Sequence, residues 1–335
     1  MDVSGWVWAG TAVFVVGLIF FDFFAHVRTP HAPSFQESAR WSIFYIALAM
    51  VFGVVVGMAW GWGPGTEYFA GYITEKSLSV DNLFVFLIIM TKFVVPREYQ
   101  QKVLLVGVVI ALILRTVFIL AGAAAIEQFS WVFYIFGGFL VYTAIKLARE
   151  HHDAEHPDPR EERDGMAVRL FKRLVPTVEE YHGDRLTVRI DGKRFFTPML
   201  VVMVAIGSTD VLFALDSIPA IYGLTEEPYI VFTANAFALL GLRQLYFLIG
   251  GLLERLIYLS QGLAVILGFI GIKLVLHALH VNELPFINNG EPVEWAPEIP
   301  IWLSLTVILG TLVVATVLSL LKTRSDASIA SKTES

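Results

Sequence analysis

The chain has 335 residues, of which 56% are hydrophobic and 16% charged, and it contains no cysteine. A soluble domain carries about 25% charged residues, so this composition is that of a membrane protein; disulfide frameworks, thiolate metal sites and cysteine redox chemistry are excluded. The formal net charge of −6 says little about partners, because the charges are confined to connections and a few positions inside apolar segments.

A spanning helix needs about 20 mainly apolar residues. In chain order the sequence predicts nine, at about 3–25, 41–61, 67–91, 103–123, 129–148, 199–222, 229–249, 258–279 and 301–321. The first has no basic leading region and no small-residue cleavage site, and it is too long for a signal peptide, so it reads as a retained helix. The seventh and eighth are separated only by Gly250-Gly251-Leu252-Leu253-Glu254-Arg255. Lys and Arg alternate strictly between connections. Arg28 and Arg40, then Lys92, Arg97 and Lys102, then ten bases between Arg149 and Arg194, then Arg255, then Lys322 and Arg324 fall on one side. Gly61–Thr66, Gly122–Ser130, Gly223–Tyr229 and His280–Pro300 carry none. The basic side is cytoplasmic. The expected fold is therefore an all-α polytopic membrane protein of about nine transmembrane helices, with the N-terminus outside and the C-terminus inside.

Residues 1–148 hold helices 1–5, residues 149–197 form a cytoplasmic loop, residues 198–322 hold helices 6–9, and residues 323–335, rich in Ser and Thr, read as a disordered tail. The loop opens with His151, His152, Asp153, Glu155 and His156, a possible metal-binding run that reads better as a solvated linker, since Pro157 and Pro159 follow at once. Val168–Val175 has the pattern of a short amphipathic helix on the anionic inner leaflet. Leu186–Ile190, Asp191-Gly192 and Lys193–Phe196 read as a β-hairpin with a tight turn. The outer loop 280–300 carries Glu283, Glu291, Glu294 and Glu298, read as a solvated acidic loop with weak attraction for cations.

Two stretches stand out. Glu75-Lys76-Ser77-Leu78-Ser79-Val80-Asp81-Asn82 lies inside the third helix and Asp210-Val211-Leu212-Phe213-Ala214-Leu215-Asp216-Ser217 inside the sixth. Both read acid, five residues, Asp, then a small polar side chain. A charge at the centre of a membrane helix costs about 2.5–3.5 kcal/mol on insertion scales, so four at matched positions need a reason. The third helix runs inward and the sixth outward, the arrangement of an inverted repeat with its site at the midplane. Glu75 and Asp81 point about 120° apart and stand about 9 Å apart in height, so unbroken helices could not bring all four acids to one small ion. Pro219 is the expected break: it has no N–H for the carbonyl of Leu215, which is freed beside Asp216.

Carboxylates, the Asn82 amide, the Ser217 hydroxyl and a freed carbonyl are hard donors suited to Mg²⁺, Ca²⁺ or Mn²⁺. The same carboxylates could relay protons. The blander reading is that Lys76, Arg115, Arg243 and Lys273 neutralise four structural acids, with Arg115 the foremost partner. Asp22 and Asn235 are weaker candidates, Asn235 as an interhelical hydrogen bond; Gly268 and Gly271 serve close helix packing.

These residues carry a resemblance to the TerC/Alx family of integral membrane proteins. The motifs are Glu75–Phe86, Val109–Val117 with Arg115, Trp131–Gly137, Asp210–Thr225 with Pro219, Gly241–Phe247 and Gly268–Lys273, and the likeness spans most of residues 5–321. The resemblance implies a bacterial inner-membrane protein tied to tellurium resistance by name and to manganese homeostasis by function, with Mn²⁺ export as its activity, and similar in outline to exporters whose halves are inverted repeats. It places the metal role on Glu75, Asp81, Asp210 and Asp216. Alx-like members carry a Glu three residues before the equivalent of Asp210; here that residue is Gly207.

The expected function is export of a divalent cation, with Glu75, Asp81, Asp210 and Asp216 as ligands and Asn82 and Ser217 assisting. The ion is cargo, and no tightly bound cofactor is expected. Proton coupling, the lipid bilayer and secretion-machinery or cytoplasmic proteins at loop 149–197 complete the expected partners. The rival is a membrane scaffold for a tellurium-resistance or exoenzyme-metalation complex. No nucleophile–base pair, zinc-protease motif or phosphate-binding loop points to an enzyme, and topology explains the basic residues without nucleic acid.

Overall fold

Ser34 marks a helix start that hydropathy alone misses. Its side chain accepts from the Glu37 N–H at 3.2 Å, and Ser34 and Glu37 have the spacing of a capping box. The second helix therefore begins at Phe35, before the apolar run that reveals it. In this computed structural model, residues 1–27, 31–129, 131–153, 166–178, 180–190, 192–249, 257–293 and 295–333 are described.

The elements in order are α1 (Gly5–Asp22, continued by a π-turn Phe23–Val27), α2 (Phe35–Trp60), α3 (Trp62–Lys92), α4 (Arg97–Gln128), α5 (Val132–Asp153), α6 (Met166–Leu174), β1 (Thr187–Ile190), β2 (Lys193–Phe196), α7 (Pro198–Tyr222), α8 (Pro228–Leu239), α9 (Leu242–Ile249), α10 (Leu259–His280) and α11 (Ile301–Thr333). Eight stretches among the described residues are long and apolar enough to cross a membrane, with α8 and α9 together forming one of them. The protein is an all-α polytopic membrane protein.

α3 is too polar to join those eight by composition, but it too runs from one end of the bundle to the other. Near its start Glu67 accepts from the Thr225 hydroxyl at 2.6 Å, and at its far end the Phe93 carbonyl accepts from the Tyr181 hydroxyl at 2.8 Å. The N-terminus shares the first end, where the Trp60 ring N–H donates to the Asp2 carbonyl at 3.2 Å. Seven of the eight tryptophans (Trp6, Trp8, Trp60, Trp62, Trp131, Trp295, Trp302) lie at helix ends or in connections on that side, and Trp41 lies toward the other. Such belts sit at the headgroup level and fix the depth of a bundle.

α3 is the axis of the packing. α8 and α2 flank it, and α7 and α11 pack on other faces. α5 and α10 form the closest helix pair. A Cβ on Gly137 would stand 2.7 Å from Val275 Cγ2 and 2.8 Å from the Gly271 carbonyl oxygen, while one on Gly271 would stand 2.9 Å from the Gly137 oxygen. Gly271 serves the close packing that its sequence suggests; Gly268 has only ordinary contact, at 3.5 Å from Ala144.

The segment between the helix groups folds as its pattern predicts. β1 and β2 pair antiparallel from Thr187↔Phe196 to Ile190↔Lys193, leaving a two-residue connection that contains Gly192 at φ +78°. α6 covers the expected amphipathic stretch, and Val168 packs with Val201 and Ala205 of α7. The segment is tied to the bundle by Lys102, whose ammonium donates to Asp184 Oδ2 at 2.7 Å. The His/Asp/Glu run between 151 and 156 falls outside the residues whose side chains are described, as does the junction 250–256.

Two expectations differ from what is found. α11 continues to Thr333, past Lys322, where the sequence reads as a tail. The helix break is also elsewhere: α7 runs unbroken through Pro219, because one missing N–H near a helix C-terminus leaves the remaining ladder intact. The discontinuity lies between α8 and α9, where Gly241 adopts φ +77°.

Candidate functional site

α3 and α7 pack antiparallel, so the two acidic octets meet in reversed order. Gly71 near the start of α3 approaches Ile221 near the end of α7, its Cβ position 3.5 Å away. Beside them, packed on α7, stands α4, which presents Arg115. The guanidinium pairs with Glu75 through one nitrogen and approaches Asp210 Oδ1 at 3.4 Å through another. All three side chains are buried. Ser79, one turn along α3, donates to the Glu75 carboxylate at 3.3 Å. The first acids of the two matched motifs thus share one base.

The pairing leaves residual capacity. Glu75 Oε2 and Asp210 Oδ2 are buried with no hydrogen-bond partner among the described residues, as are the Thr74 and Ser217 hydroxyls. Two carboxylates against one guanidinium leave a net negative charge where water is excluded, an arrangement that costs free energy unless a proton or cation joins it.

The second half of each motif faces another space. Asn82 and Ser217 line a crevice of about 270 Å³ between α3, α7, α5 and α10, walled by Leu78, Leu212, Phe213, Leu263 and Leu267. Thr143 and Lys146 of α5 reach the same crevice, which the sequence reading did not foresee. The seven-residue step aligns Glu75 with Asn82 and Asp210 with Ser217 on their helices. The members of each pair nevertheless go different ways, Glu75 and Asp210 toward Arg115 and Asn82 and Ser217 toward the crevice. Asp81 and Asp216 occupy α3 and α7 next to Asn82 and Ser217, but their side chains lie outside the described residues. Among the described residues, no three His, Asp or Glu side chains converge as a metal cage.

The other intramembrane charges have separate duties. Lys76 does not join the acids: its Nζ donates to the Ala238 carbonyl at 2.9 Å. Arg243 donates to Asp22 Oδ1 at 2.7 Å and pairs with Gln101, and Gln244 donates to the same Asp22 oxygen at 2.9 Å. This polar knot joins α1, α4 and α9. Asn235, expected to bond across helices, instead has neither amide atom partnered among the described residues.

At the tryptophan-rich end a cavity of about 320 Å³ is lined by Glu67, Thr225, Glu226, Glu227, Lys273 and His277. The His277 ring lies 2.9 Å from Glu226, and its hydrogen bond holds that carboxyl below the ordinary value despite partial burial. The acids that crowd this end therefore come from α3 and the α7–α8 connection, not from the 280–300 loop alone.

The family model described as "Integral membrane protein TerC family" matches residues 60–327. The chain is 50% identical over 327 residues to an uncharacterized membrane protein of Mycobacterium bovis, an alignment covering 98% of this chain and 82% of that one. An uncharacterized membrane protein of Myxococcus xanthus is 38% identical over 317 residues, covering 95% and 92%. A protein of Escherichia coli K12, named as a candidate membrane-bound redox modulator, Alx, is 36% identical over 321 residues and covered over 93% of each chain. No solved structure gives a significant match. With the matched motifs packed against each other in the bundle and the family model spanning most of its length, the chain belongs to the TerC family of integral membrane proteins.

Proposed function

We propose that this chain exports a divalent cation across the bacterial inner membrane, Mn²⁺ foremost, by way of the paired motifs of α3 and α7. The observation that carries the reading is the pairwise convergence of the two octets, Glu75 and Asp210 on Arg115 and Asn82 and Ser217 on one crevice. Hard oxygen donors suit Mn²⁺, Mg²⁺ and Ca²⁺. The proposed ligands are Asp81 and Asp216 with the Asn82 amide and the Ser217 hydroxyl, of which the last two line the crevice. Unmet acceptor capacity at Glu75 and Asp210 supports a second, proton-binding role for these two acids, which gives a route to cation/proton exchange. In this reading the basic face that holds α6 and the hairpin is cytoplasmic, and alternating access rocks α7–α11 against α1–α5.

The test is Mn²⁺ flux in proteoliposomes with a pH-sensitive dye inside, comparing wild type with Asp81→Asn and Asp216→Asn. Mn²⁺ movement with opposing proton movement, lost in both variants while folding is retained, is the expected result. Unimpaired flux in both variants removes the motifs from the ion path.

A second reading has its own observation. Arg115 already engages Glu75 and Asp210, as structural ion pairs would, and the segment 166–197 is docked on the basic end through Lys102–Asp184 and Tyr181–Phe93. A membrane adaptor in a tellurium-resistance or metalation complex would use that docked segment. Its function would be lost on deleting the loop 149–197 and kept on neutralising the acids.

A further inference from the structure

The octet that carries Glu75 also carries Lys76, and the helix beside it is broken at the same depth. α8 ends at Leu239, Leu240 turns out of helical conformation at φ −60° and ψ 132°, and Gly241 follows at φ +77° before α9 begins. A Cβ on Gly241 would stand 2.8 Å from the Tyr45 Cβ, so both backbone and packing hold this position to glycine. The break leaves the last carbonyls of α8 without helical partners, at the negative end of its macrodipole. Such a backbone end is tolerated at membrane depth only where something polar meets it.

What meets it is the Lys76 ammonium. Its Nζ donates to the Ala238 carbonyl at 2.9 Å and lies 3.5 Å from the Leu240 carbonyl. Consecutive residues on a helix point about 100° apart. Glu75 therefore faces α4 and Lys76 faces α8, and the lysine is not the counter-charge of its neighbour. The C-terminal ends of half-helices in discontinuous membrane segments are the places where small cations bind. The geometry points to the same kind of site here, with an occupant supplied by the chain itself.

We propose that the α8–α9 break is a site for a small monovalent cation, filled by the Lys76 side chain acting as a tethered ammonium that positions the broken end against α3. The site concerns backbone carbonyls and stands independently of the ion-export reading, since its readout is folding and not flux. Removing the tether leaves a vacancy that free cations of the same chemistry can enter.

The experiment measures the unfolding midpoint of purified wild type and of Lys76→Ala and Lys76→Met in choline, sodium, potassium, ammonium and methylammonium chloride at matched ionic strength. Wild type is expected to be indifferent to the cation. Lys76→Ala is expected to melt several degrees lower in choline and to be restored in a saturable way by ammonium or methylammonium. In Lys76→Met the longer apolar chain occupies the vacancy, so the loss persists in every salt. A Lys76→Ala protein as stable as wild type in choline, or one equally unstable in all salts, overturns the proposal; so does equal rescue of Lys76→Met. Yield of monodisperse protein extracted in ammonium and in choline is read in parallel, and recovery of Lys76→Ala in neither salt also overturns it.

Discussion

Glu75 and Asp210 lie on antiparallel helices yet meet the same guanidinium, that of Arg115. Breaking a buried ion pair from one side leaves uncompensated charge and costs about 3–5 kcal/mol. Arg115→Met is therefore expected to be the most destabilising single change in the bundle, read as loss of folded protein in detergent. The triple variant Arg115→Met/Glu75→Gln/Asp210→Asn removes all three charges and should regain most of that loss. If the triple variant is no more stable than Arg115→Met, the three side chains are not an electrostatic unit.

The α5–α10 contact makes a sharper test, because adjacent glycines differ. Gly137 sits against backbone and Val275, whereas nothing lies within 4 Å of a Cβ on Gly138. Gly137→Ala forces the helices apart and should cost about 1–3 kcal/mol. Gly138→Ala should be neutral or stabilising by up to about 1 kcal/mol, the helix-propensity gain. Thermal midpoints of the two variants, measured side by side, check this; equal midpoints would mean that α5 and α10 are not packed at this distance.

At the basic end the Lys102 hydrogen bond holds the Asp184 carboxyl below its ordinary value of 3.8. A carboxyl with a lowered folded pKa stabilises above its unfolded pKa, and that contribution fades as pH falls through the folded value. The pair is well exposed, so it contributes no more than about 1 kcal/mol. Asp184→Asn should loosen the β1–β2 hairpin at neutral pH, and the difference from wild type should close below pH 3.8. Amide exchange in residues 187–196 reports it. A difference that stays constant down to acid pH would assign the effect to something other than this ion pair.

How far the sequence reaches is clear from particular residues. Apolar length, the Asp191-Gly192 turn and the α6 pattern are local signals, and each element forms where that signal lies. Arg115 as partner of the acids was legible too, since a base at the middle of an apolar helix needs a carboxylate. The position of the break was not. Pro219 is the stronger local breaker, yet near a C-terminus its missing N–H is tolerated, whereas Gly241 becomes a break because Tyr45 packs on it and Lys76 meets the freed carbonyls. Those contacts join residues more than 160 positions apart, and no local pattern records them. The duty of Lys76 was hidden for the same reason: the residue before it is an acid, Glu75, but its spatial neighbours are backbone oxygens.

Asn235 joins stability to function in a way that can be separated. It is buried on α8, and neither its amide nitrogen nor its oxygen has a partner among the described residues. An unsatisfied buried polar group costs about 1–3 kcal/mol, so a purely structural position would favour an apolar side chain of similar volume. Asn235→Leu is therefore expected to raise the unfolding midpoint. If α8 also lines the ion path, the same variant should lose Mn²⁺ flux while gaining stability, which a packing role alone cannot produce. Higher stability with unchanged flux would take Asn235 out of the path and leave the paired octets of α3 and α7 as the whole of the proposed route. A lower midpoint would mean that the amide finds a partner in the folded protein, and the polar interior around α3, α4 and α8 would then be more fully satisfied than its side-chain geometry indicates.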